Sequence, residues 1–159
     1  MSEELMISFE KRFTQMKKEL GFKVTLNDLD EIFFLRDVIA REGHVPFSLS
    51  RMLCHRMSDT LMNWAGYLQS LLVPNTGSIL NCTESQMFDE KEKEEMMKLI
   101  DTILSFVSSN AVIGLSKNKR EEAEFIDGSV KLWRKTLQPE LLRLTKKIHT
   151  SWVERAHAH

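Results

Sequence analysis

Cysteine is nearly absent: Cys54 and Cys82 are the only two in 159 residues. Two thiols with no secretion signal fit a reducing compartment better than a disulfide framework. The first residues, MSEELMISFEKRF, are charged from the start and lack the apolar centre of a signal peptide. No apolar run approaches the roughly 18 residues expected of a membrane span, so a cytoplasmic protein with no membrane association is expected. Glycine and proline are scarce too, at six and three, which excludes collagen-like and Gly/Pro-rich disordered chains. An excess of charge is also missing. The net value of −1 excludes a globally basic nucleic-acid binder.

What is present is the composition of a globular protein, 42% hydrophobic and 28% charged. A chain of this length fits one domain, residues 1–159, and buries roughly 70% of its unfolded surface without a metal or disulfide staple. Nine methionines and nine phenylalanines against one tyrosine point to a core of adaptable side chains. Charge is unevenly placed. Residues 116–159 carry ten Lys/Arg against six Asp/Glu, a local +4, while the rest of the chain balances at −5.

Helical punctuation runs through the whole sequence. Leu5, Phe9, Phe13, Met16 and Leu20 make one stripe at helical spacing, stopped by Gly21. Thr25 with Asp28 opens a second helix, LNDLDEIFFLRDVIARE, which Gly43 closes. Its apolar residues do not share one side, because Phe34 and Val38 point nearly opposite to Leu29, Ile32, Phe33 and Ile39. A helix apolar on two sides is central or packs on a partner, so Phe34 and Val38 are interface candidates. A third helix is expected from about residue 48 to Leu72, before Pro74. PNTGSILNCT then reads as the longest irregular segment, with Ile79 and Leu80 folding it back onto the domain.

Thr83 with Gln86 marks a further helix start, followed by Met96, Ile100, Ile103, Leu104 and Val107 on one face. That helix is expected to end near Ser109 or Asn110, with AVIGLS as the connector. Asn118 with Glu121 caps the last helical region, which is kinked or broken at Pro139 and frays over about 155–159. No repeat, low-complexity tract or strand pattern is present. The expectation is an all-α single-domain antiparallel bundle of five to six helices.

Four clusters of polar residues are candidates for chemistry. Arg51, His55 and Asp59 fall four residues apart, on the side of their helix away from Leu53, Met57 and Leu61. Cys54 adjoins His55 in sequence but lies about 100° from it around the helix, outside nucleophile–base reach. The plain reading of the row is an exposed ladder worth a few tenths of a kcal/mol per pair. Glu154 and His157 have the spacing of a di-iron carboxylate motif, but only one copy is present, and His159 adds a second imidazole in the tail. Gly114-Leu-Ser-Lys-Asn-Lys sets small residues and lysines at a helix start, without the glycines of a phosphate loop.

Arg143 and His149 stand six apart on the most basic segment. That spacing is similar to the Arg–His motif in the last helices of HEPN-type ribonucleases, though Leu144 stands where that family usually has a polar residue. The likeness covers one helix segment and names no family for the chain. Its implication is an RNA-binding or ribonuclease-like bundle, with His149 moving a proton and Arg143 steadying phosphate charge. Against it stands a non-enzymatic helical module that binds a protein partner or itself through apolar surface. The second reading is favoured, with no cofactor and no physiological metal expected.

Overall fold

A computed structural model describes residues 2–159. Among them there is no strand. The helices are α1 (Glu3–Leu20), α2 (Leu26–Phe33), α3 (Leu35–Glu42), α4 (Leu49–Leu72), α5 (Ile79–Ser85), α6 (Glu90–Ser116), α7 (Lys119–Leu132) and α8 (Gln138–His157), with a π turn at Trp133–Leu137 between the last two. Counting α7, the π turn and α8 as one helical run gives seven described helices, against the five to six expected. The all-α class is as expected.

The residues group into two compact units: Met1–Thr60 with Val107–Lys131, and Leu61–Phe106 with Leu132–His159. In the first, α1 buries Phe9, Phe13 and Met16, the phenylalanines meeting edge to face at 6.3 Å, and Phe13 meets Phe22 likewise at 5.7 Å. The left-handed Gly21 ends α1 as its sequence implies, with φ 82°. Two side chains tie down the following link: the Asp127 carboxylate accepts from the backbone N–H groups of Lys23 and Val24 at 2.9 and 3.0 Å, and Lys17 Nζ donates to the Lys23 carbonyl at 3.1 Å. Thr25 and Asp28 then form the expected capping box.

The expected second helix is in fact two. Phe34 adopts φ 55° and ψ 47°, the left-handed region, and separates α2 from α3. Leu29, Ile32 and Phe33 are buried before the break and Leu35 and Ile39 after it, whereas Phe34 and Val38, the other side of the expected pattern, are exposed and half-buried. Backbone groups released by the break find side-chain partners. Asp30 accepts from the Arg36 N–H at 2.8 Å and from the Arg36 guanidinium at 2.9 Å. Arg56 donates to the Phe33 carbonyl at 2.9 Å.

In the second unit, α4 supplies Leu61, Ala65, Leu68 and Leu71 to the core, α6 supplies Met96, Leu99, Ile100 and Ile103, and α8 supplies Leu141, Leu144 and Ile148. The 74–82 segment departs from expectation. Ser78 caps a short helix, α5, accepting from the Asn81 N–H at 3.2 Å, and Thr83 lies inside it. Ile79 and Leu80 stay exposed instead of folding inward. Ser85 donates to the Leu71 carbonyl at 2.7 Å, satisfying an acceptor at the end of α4. The cap of α6 is Asp89 with Glu92, each side chain accepting from the other's N–H.

One boundary later in the chain also moves, while the interruption expected at Pro139 falls just before it. α6 continues through AVIGLS to Ser116, where Lys117 takes the left-handed cap position with φ 56°. Asn118 does cap α7, accepting from Arg120 and Glu121 N–H groups at 3.0 and 3.1 Å. Pro139 does not end the last helical run. It sits in the first turn of α8, and the irregularity lies just before it: the Gln138 N–H reaches back five residues to the Trp133 carbonyl. A proline removes an N–H from the ladder, and a single π turn is a common way for a helix to absorb such a fault.

Candidate functional site

The row on α4 divides at its first member. His55 and Asp59 are exposed, and among the described residues no ion pair joins them. They form a solvated face. Arg51 instead turns toward the end of α6 and the start of α7. Its Nη2 donates to the Asn110 side chain at 2.8 Å and to the Asn110 carbonyl at 3.2 Å, and its Nη1 stands 3.5 Å from the Glu122 carboxylate. Glu122 is buried on α7 and Asn110 on α6, so Arg51 compensates a carboxylate removed from water.

Gly114 makes room for this arrangement, because a Cβ there would stand 3.0 Å from Arg51 Nη2. That gives the Gly114-Leu-Ser-Lys segment a packing role. Arg51 and Glu122 help to wall an open cleft of about 710 Å³, together with Arg12, Met16, Phe47, Lys117 and Lys119. Arg12 is itself engaged by the Val45 and Phe47 carbonyls at 3.0 and 2.9 Å. Among the described residues no histidine or cysteine lines the cleft. Cys54 lies buried beneath this region, and burial, reinforced by the Glu122 charge and opposed by Arg51, pushes its thiol up to about 12. At neutral pH such a thiol is protonated and is no nucleophile.

Arg143 belongs to a charge network in the second unit. Its guanidinium meets Glu95 at 3.1 Å, Glu140 at 3.2 Å and Glu92 at 3.8 Å. Lys147 joins Glu92 at 2.6 Å, and that hydrogen bond holds the Glu92 carboxyl below its ordinary range. His149 is exposed on α8. Six residues correspond to about 120° around a helix, so the structure does not bring Arg143 and His149 onto one face. Tyr67 is shifted upward by burial and by the nearby Glu84, which also accepts from Trp152 Nε1 at 2.8 Å. Glu154, His157 and His159 are all exposed at the end of α8, and no group of three metal-ligating side chains occurs among the described residues.

Of the two interface candidates, Phe34 is 55% exposed and Val38 half-buried. A more extensive apolar surface lies on α6, where it was not expected. Met96, Leu99, Ile100, Ile103 and Ile113 take the buried side. Met97, Leu104, Val112 and Leu115 are exposed, Leu115 by 87%. Leu104, expected on the inward face, therefore belongs to the outward one. The expectation that no apolar run approaches a membrane span needs correction as well. Because α6 is continuous to Ser116, it is long and apolar enough by composition to cross a membrane, and most of its apolar window is exposed. Hydrophobicity on both sides of one continuous helix was the signal available in the sequence, hidden by ending that helix near Asn110. Comparison with protein-family models, with curated proteins and with solved structures gives no match.

Proposed function

We propose that this chain is a non-enzymatic helical interaction module whose working surface is the outward face of α6. The observation that carries the reading is that Met97, Leu104, Val112 and Leu115 stay exposed along a helix whose other side is already buried. Isolated exposed apolar residues are ordinary, whereas four that recur on one side of a single helix point to an interaction surface. Exposed Phe34 supplies a second, smaller feature of the same kind. The two free thiols support a cytoplasmic setting for the module. The RNA-directed alternative gains nothing from Arg143, whose guanidinium is held by glutamates, or from its separation from His149.

A photo-reactive residue at position 104, compared with one at exposed Thr150 on α8, tests the module reading in intact cells. Discrete protein adducts from position 104 that disappear when Leu115→Glu is added are the expected result. Equal adduct patterns from both positions, or none from position 104, would overturn it.

A further inference from the structure

We propose that α6 pairs with α6 of a second copy of this chain, in antiparallel orientation, with the two-fold axis passing near residue 106. The inference rests on reading the outward face of α6 as an interaction surface, and it names the occupant. α6 is one uninterrupted helix, so the layout of that face follows from its own periodicity. Met97, Asp101, Leu104, Ser108, Ala111 and Leu115 follow one another at intervals of four, three, four, three and four residues, and all six are exposed. Alternating steps of three and four are the seam of a two-helix coiled coil.

The order of residue types along this seam selects the direction. In an antiparallel pair centred at residue 106, Met97 meets Leu115, Asp101 meets Ala111, and Leu104 meets Ser108, each twice by symmetry. Leu104 faces the small Ser108, Met97 and Leu115 pack apolar against apolar, and the single charge in the seam faces a methyl group. A parallel, in-register pair would set Asp101 against Asp101 and Leu104 against Leu104, placing like charges together. The flanks agree. Residues 117–120 carry Lys117, Lys119 and Arg120 with no acid, so a parallel pair would bring two basic ends together. An antiparallel pair sets those cations beside the other copy's segment 89–95, with five carboxylates and two lysines. Arg143 and Lys147 offset part of that acidity, and Glu90 and Glu94 remain exposed.

Asp101 is the polar exception, and it gives the proposal its sharpest test. A charge at a seam position weakens a coiled coil while fixing its register, so Asp101→Leu should tighten the pair, lowering the dissociation constant by about tenfold or more. Sedimentation equilibrium of the full chain should show a reversible dimer, with Leu115→Glu monomeric at the same concentrations. Because Leu115 is almost fully exposed, its circular-dichroism melt should be unchanged at low concentration. In a Cys82→Ser background, oxidising a mixture of Leu104→Cys and Ser108→Cys chains should give mainly the mixed disulfide.

A wild-type chain that stays monomeric, a dimer indifferent to both Leu115→Glu and Asp101→Leu, or a preponderance of the Leu104→Cys homodisulfide would each overturn the proposal. So would a monomer that floats with phosphatidylcholine–phosphatidylglycerol vesicles and is released by Leu115→Glu, since the occupant would then be lipid. Photo-adducts from position 104 to a different chain, with a monomer in sedimentation, would overturn self-pairing while leaving the module reading intact.

Discussion

Arg56 on α4 donates from Nε to the carbonyl of Phe33 at 2.9 Å, and this bond closes the gap between α2 and α3. Phe33 is fully buried, so its carbonyl has no water to fall back on. Removing the donor leaves an unsatisfied acceptor, and bonds to charged groups contribute about 1.5–3 kcal/mol. Arg56→Ala should therefore lower the free energy of unfolding by about 2 kcal/mol, measured as a fall in urea midpoint at constant slope.

Phe34 gives the opposite sign. It occupies a left-handed conformation that costs a residue with a Cβ about 1–2 kcal/mol, and more than half of its side chain is exposed. Phe34→Gly should raise stability by up to about 1 kcal/mol, whereas Phe34→Ala, which keeps a Cβ, should not. Paired denaturation curves of the two variants provide the measurement.

The break at Phe34 also shows where the sequence stops being informative. LNDLDEIFFLRDVIARE contains no glycine or proline, and the backbone groups at its interruption are met by Arg56, twenty-three residues from Phe33, and by the Asp30–Arg36 contact. By contrast α1, α4 and the Thr25–Asp28 cap are legible because stripe and punctuation agree locally. α6 misleads for the reverse reason. AVIGLS has a glycine and two β-branched residues, weak helix formers that read as a connector, yet Asn110 and Ile113 are buried and hold it in the helix. The row Arg51–His55–Asp59 is visible from spacing alone. That Arg51 leaves it to reach Asn110 and Glu122 is a long-range fact with no local trace.

The two thiols should separate cleanly. Cys82 is partly accessible and Cys54 is fully buried. At pH 8 an aromatic disulfide reagent should label Cys82 in the folded chain and Cys54 only on unfolding. The folded Cys54 value of about 12 lies above its ordinary 9.0, so its contribution to stability is complete below pH 9 and declines as pH rises toward 12. Cys54→Ala should remove that part of the alkaline decline.

Glu92 acts at the other end of the pH scale. Its hydrogen bond from Lys147 depresses the folded value below the ordinary 4.5. The resulting stabilisation is present above that value and is lost as pH falls through the folded one. Lys147→Met should flatten the acid limb of the stability profile, as read from thermal melts between pH 6 and roughly pH 2.

Sedimentation equilibrium of the full chain beside its Leu115→Glu and Asp101→Leu variants bears most directly on the role assigned to α6. The expected result is a reversible dimer that Leu115→Glu dissolves and Asp101→Leu tightens. A wild-type chain that remains monomeric, or a dimer that neither substitution moves, would contradict it.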